Sequence, residues 1–266
     1  MKKDTFIDIV VFVFLIFITV PLPFFIESTW FNNPVVWSFI VAGPVSIYFG
    51  LRRKKNWKKI IVGSLVFGSL FGVILEYFAH ISLAWQVPTT IFPFRILGAN
   101  TIDAVIGYIP MTIFVLVFYE HFFDNDAHHK ISPHIWRAII PAIVVVIMVI
   151  IFHFIDLPLS GWLGLKYGNA YIKMGILAIT PMIVQLIRFP KLFSKYAMLS
   201  VSLFWVFLLL EIVGVSLNYW IFPGKDYIGT VTAFGKTFPL EEIIFWMFLY
   251  PPTIAAYYEK CIDDEK

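Results

Sequence analysis

The chain has 266 residues, of which 60% are hydrophobic, 19% aromatic and only 14% charged. A water-soluble domain carries about 25% charged residues, so much of this surface must face something other than water. The net charge of +3 is too small and too localised for a nucleic-acid binder, and the single cysteine, Cys261, excludes an intrachain disulfide or a thiolate metal cluster.

A backbone in lipid must satisfy its own hydrogen bonds, so apolar runs of roughly 20 residues are expected to be helices. Met1-Lys2-Lys3 followed by apolar residues from Phe6 resembles a signal peptide. No small-residue cleavage site follows, so a retained first helix over 6–25 is expected. Further spans are expected over 34–51, 60–84, 102–119, 138–154, 171–187, 196–220 and 239–258. None shows the ten-residue alternation of a membrane barrel. The predicted fold class is therefore all-α, a polytopic transmembrane helical bundle of about eight spans, with 1–266 as one integral membrane domain.

Orientation follows from the basic residues. With the N-terminus cytoplasmic, the inner segments hold 15 of the 20 lysines and arginines, and only Arg95, Lys166, Lys173, Lys225 and Lys236 fall outside. A multi-pass protein of the cell membrane with both termini cytoplasmic is expected. The run Arg52–Lys59 reads as a topology anchor against anionic lipid rather than a nucleic-acid patch.

An internal repeat is also legible, 1–125 against 136–262. Glu76, Trp85, Pro88, Gly98, Asp103 and Glu120 are echoed by Glu211, Trp220, Pro223, Gly235, Glu242 and Glu259. Glu76 to Glu211 is an offset of 135, and Asp103 to Glu242 one of 139. Each half keeps its direction, which makes two parallel four-helix repeats.

Acids at membrane depth are scarce and costly, so each is a functional candidate. Helix direction and rise place Glu76, Glu211, Asp103, Glu241 and Glu242 at one depth in the outer part of the bilayer. His80 shares a helical face with Glu76, and Gly214 and Asn218 share one with Glu211. Glu241 pairs in the same way with Phe245, and Glu242 with Trp246. With Trp85, Tyr219 and Trp220, these residues form a candidate lining for a substrate. A carboxyl among apolar groups keeps its proton more readily, because burial disfavours charge, and aromatic rings stabilise a cation. That combination suits carbocation chemistry on an apolar, lipid-soluble substrate. The same spacings also suit hydrogen-bonded pairs between helices and acids favoured by a helix N-terminus. Glu120 and Glu259, beside basic residues at the inner boundary, read as solvated.

The loop Asp124-Asn-Asp-Ala-His128-His129, with His134, has metal-ligand residue types without a recognised spacing, so no metal is expected. No glycine-rich fingerprint follows a strand, and no flavin, nicotinamide or other cofactor is expected. Paired glutamates also occur in intramembrane prenyl-protein peptidases, but that family has arginine where Trp246 stands.

The stretch Glu211-Ile-Val-Gly-Val-Ser-Leu-Asn-Tyr219-Trp220, Tyr227-Ile-Gly and Pro239-Leu-Glu241-Glu242-Ile-Ile-Phe245-Trp246 resembles the lycopene cyclase domain. This is the membrane module of the flavin-free carotenoid cyclases of bacteria, archaea and fungi, and about fifty residues carry the likeness. The family uses two such modules, fused or as subunits, so a homo-oligomer is an open alternative. The resemblance implies cyclisation of a linear carotenoid or polyprenoid end without net redox change, an intramolecular lyase (isomerase) reaction. Glu241 and Glu242 would serve as proton donor and acceptor, Glu211 as the acid of the preceding helix, and Trp220, Phe245 and Trp246 as the cation lining. In the first half the Pro-Leu-Glu-Glu position reads Asn100-Thr-Ile-Asp103, and the aromatic pair is absent. A carotenoid hydratase and a non-catalytic lipid-binding or transport protein are the alternatives.

Overall fold

The structure, a computed structural model, describes residues 3–26, 33–52, 56–124, 130–155 and 168–263, the side chains of Lys3 and Asp4 excepted. Seven helices among these residues are long and apolar enough to cross a membrane. They are α1 (Lys3–Thr19), α2 (Pro34–Arg52), α3 (Trp57–Ser82), α4 (Ile102–Phe122), α5 (Trp136–Phe154), α6 (Ala170–Arg188) and α7 (Leu192–Ser216). A final helix, α8, runs through three consecutive segments, Glu242–Leu249, Tyr250–Tyr258 and Glu259–Asp263, the first and last wound as π-helix. A π segment also interrupts α3 at Ser64–Leu70. Two short antiparallel hairpins, β1 (Arg95–Ile96) with β2 (Asn100–Thr101) and β3 (Thr230–Ala233) with β4 (Lys236–Pro239), precede α4 and α8.

Burial explains the arrangement. In the second half of α4, Phe114, Val115, Leu116, Val117, Tyr119 and Glu120 are all fully buried. A helix apolar on every side has to be enclosed by others, and α2, α3 and α8 enclose this one. Along α5, α6 and one side of α1 the large aliphatic and aromatic side chains are exposed instead, including Phe14, Phe17, Ile147, Ile151, Leu177 and Ile187. That outward apolar face is what lipid contact requires.

Helix α7 stops at Ser216 rather than running on to Trp220, because Asn218 turns left-handed with a φ of 53°. Leu83 ends α3 likewise, at φ 62°. Between these two ends the chain forms a single reciprocal bridge, Gln86 with Ile221, each N–H 2.9 Å from the other's carbonyl oxygen. Tyr227 fastens the same loops by donating to the Ala84 carbonyl at 3.0 Å and accepting the Gly224 N–H at 3.0 Å. Burial pushes its hydroxyl up to about 12.

At the opposite, lysine-rich end, two sequence expectations fail. Glu120 and Glu259 are fully buried, not solvated. Tyr258 donates to Glu120 and Tyr119 to Glu259, so α4 and α8 exchange matching hydrogen bonds. Lys59, expected to anchor the chain to lipid, is fully buried, paired with Asp263 and lying 3.6 Å from Glu120. Asn56 donates to Glu120, and Lys195 reaches Asp124 at 3.1 Å and Glu259 at 3.8 Å. The adjacent charges in the sequence turn inward because each finds an opposite partner there, which a buried charge requires. Asp8, one turn inside α1, behaves the same way and holds Arg52, Tyr48 and His121. Arg53, Lys54, Lys55, Lys166 and the candidate segment 125–129, with His128 and His129, lie outside the described residues.

Removing one member of a buried charge set strands the others. Lys59→Met is expected to lower stability by about 3–5 kcal/mol, read as a fall in the thermal midpoint in detergent. An unchanged midpoint would show that Glu120 and Asp263 do not depend on the ammonium.

Candidate functional site

A cavity of about 720 Å³ lies among α2 to α8, and aliphatic and aromatic side chains form most of its wall. Four of the five candidate acids reach it, each from a different helix: Glu76 on α3, Asp103 on α4, Glu211 on α7 and Glu242 on α8. Trp85, Trp220, Phe245 and Trp246 line it as well. Glu241, Tyr219, Asn218 and His80 do not.

The acids divide into two kinds. Glu76 accepts the indole N–H of Trp85 and the hydroxyl of Tyr108, both at 2.8 Å. Glu211 accepts the indole N–H of Trp220, 3.1 Å from either oxygen. Glu242 accepts the Tyr171 hydroxyl at 2.5 Å. These three are held by aromatic side chains of the cavity wall. Asp103 instead takes the backbone N–H groups of Ile91 and Phe92 at 2.8 and 3.2 Å, and the Asn33 amide at 3.1 Å. Glu241 takes the Ile228 N–H at 2.9 Å, and its second oxygen is buried without a partner among the described residues. Asp103 and Glu241 therefore tether the loop that precedes their helix, and the pair expected from Glu241-Glu242 is split.

The indoles reach their acids because the helices end where they do. Trp85 and Trp220 each lie nine residues after the acid they serve. Breaking α3 at Leu83 and α7 at Asn218 lets the next residues fold back along the helix. Gly214 makes room for this: a methyl there would stand 2.2 Å from the Trp220 ring. Gly175 on α6 does the same for Phe245, whose ring would lie 2.5 Å from an added methyl. Phe245 in turn stacks on Tyr171, and Tyr171 leans on Trp85.

Tyr108 and Tyr171 were not among the sequence candidates. They sit in apolar helices with no acid at helical spacing, and the acids they serve are 32 and 71 residues away. Asn218 was placed on the Glu211 face by assuming that α7 continued; the left-handed turn removes it, and its side chain is exposed. Tyr219 is fully buried against Trp37 in the core rather than facing the cavity.

An apolar chamber with proton-bearing groups at one end suits an apolar ligand whose reacting end lies against those groups. Comparison of the chain with protein-family models, with curated proteins and with solved structures returns no match.

Trp220→Phe keeps the ring and deletes one donor to Glu211. The expected cost is about 1–3 kcal/mol, read as a lower thermal midpoint in detergent; an unaltered melting curve would mean that the carboxyl finds another donor.

Proposed function

We propose that this chain is an acid-catalysed cyclase of the lycopene cyclase type, acting on the end of a linear carotenoid or related polyprenoid in a membrane. The observation that carries the reading is the meeting of Glu76, Glu211 and Glu242, from three helices, in one apolar chamber walled by Trp85, Trp220, Phe245 and Trp246. The likeness of residues 211–246 to the lycopene cyclase domain supports it.

In this reading the reaction is an isomerisation. A carboxyl proton adds to the terminal double bond and leaves a tertiary cation; the next double bond attacks it and closes the ring. A neighbouring C–H then returns its proton to a carboxylate, so nothing is oxidised or reduced. Glu242 and Glu211 line the same chamber, and they share the donor and acceptor roles. Glu241 positions the loop before α8 instead of touching substrate. Tyr171 and Tyr108 hold the acids in place, and the indole and phenyl faces stabilise the passing cation through their quadrupoles.

The proposed architecture is eight spans in two parallel repeats, with α8 as the eighth and both termini cytoplasmic. Matching contacts support the duplication: Glu76–Trp85 with Glu211–Trp220, Tyr119–Glu259 with Tyr258–Glu120, and the bridge of Gln86 with Ile221 at an offset of 135. By its bond to loop backbone the counterpart of Asp103 is Glu241, one residue before the position that the sequence offset pairs with it.

Expression in cells that accumulate a linear carotenoid tests the chemistry. Ringed product of unchanged mass is expected, reduced about 100-fold or more by Glu242→Gln and little changed by Glu241→Gln. Absence of ringed product from every linear carotenoid offered would remove the cyclase reading, and product heavier by one water would replace it with a hydratase.

Orientation has its own check. In a Cys261→Ser background, Lys225→Cys is expected to react with an impermeant thiol reagent on intact cells, and Lys191→Cys only after permeabilisation. The opposite pattern would invert the topology.

A further inference from the structure

The cavity does not stop at the acids. It follows α8 from Glu242 past Phe245, Tyr250, Thr253 and Tyr257 to Lys260 and Cys261. Eighteen residues separate Glu242 from Lys260, about 25 Å at helical rise. The middle of the slot is apolar, lined by Ala138, Pro141, Ala142 and Val145 of α5 and by Ala178 and Pro181 of α6. At its far end stand two cations, Arg137 on the first turn of α5 and Lys260 on α8, both exposed and both on the cavity wall. Both belong to the wall of the one cavity, beside Cys261.

Three other cations at this end hold acids and lie away from the cavity wall. Lys59 holds Asp263, Lys195 holds Asp124, and Arg52 holds Asp8. Arg137 and Lys260 have no acidic partner among the described residues. A pure hydrocarbon would leave both unmatched at the mouth of its own slot. An anionic head would pair with them, and two cations suit the double charge of a phosphate ester better than the single charge of a fatty carboxylate.

We propose that the slot takes a single-chain isoprenoid lipid bearing a phosphate or diphosphate, its head between Arg137 and Lys260 and its far end among Glu242, Glu211 and Glu76. This rests on the cyclase reading for the fate of the far end and adds a charged near end to the substrate. Protonation and ring closure at the far end leave the phosphate ester intact, so the product is an isomer that keeps its head. The head also fixes how deep the chain enters, and so which double bond meets the acids.

The test uses the full chain in nanodiscs of neutral phospholipid, with a polyprenyl phosphate and the free alcohol of the same chain as probes. The phosphate is expected to bind about tenfold more tightly or better. Arg137→Gln combined with Lys260→Gln is expected to abolish the preference while leaving alcohol binding and the melting temperature unchanged, because both side chains are exposed. Equal binding of the two probes, or a preference that survives the double variant, would overturn the proposal. So would displacement of the phosphate probe by phosphatidylglycerol at matched concentration, which would mark an ordinary site for bilayer lipid. Ring formation is scored separately. Preference without any ring refutes the cyclase and keeps the head site; rings without preference do the reverse.

Discussion

A carboxyl group placed among apolar side chains has lost the water that would solvate it, and it must be met by hydrogen-bond donors built into the protein. Much of the hairpin end of this bundle follows from that need. Indole and phenol groups are suited to it, since each brings one donor on a large apolar body that also fills the wall. The helices carrying Glu76 and Glu211 both break soon after the acid, and the chain folds back to deliver Trp85 and Trp220. Tyr108 and Tyr171 arrive from neighbouring helices. Glu76 thereby ties α3 to α4 and Glu242 ties α8 to α6, while Glu211 holds the loop that follows α7, all inside an otherwise apolar assembly.

The same requirement acts at the other end with a different solution. There the acids meet lysines as well as tyrosines, in a cluster that ties α3 to α4 and α8 through Lys59, Glu120 and Asp263. Low local dielectric makes such a network strong when complete and costly when broken. With polar clamps at both ends, the slot along α8 has a fixed length. Its sides are the helices α5 and α6, whose outer faces are exposed and apolar.

The helices were legible because a membrane span demands a long apolar run, and seven of the expected eight are found to within a few residues. The acids were legible through scarcity, since any carboxyl within such a run has to be accommodated. What surrounds them was not. Spacing rules assume an unbroken helix, and Asn218 shows how one left-handed residue cancels them. Tyr108 and Tyr171 look like any aromatic in an apolar helix until the fold brings distant acids to them. Glu120, Glu259 and Lys59 were misread for the converse reason: charges of both signs close together at the end of a span look like a solvated boundary, and only the fold reveals that they face one another. Asp8 escaped notice altogether, although it lies within a span, because its partners Arg52 and His121 are remote in sequence.

The adjacent pair Glu241-Glu242 sharpens the chemical argument. Successive residues on a helix point about 100° apart, so two neighbouring carboxyls cannot both face one small reacting centre. Here Glu241 turns to the Ile228 N–H and Glu242 to the cavity and Tyr171. On α7, Glu211 lines the same cavity as Glu242. The two carboxyls belong to different helices, so small shifts of α7 against α8 would change the distance between them.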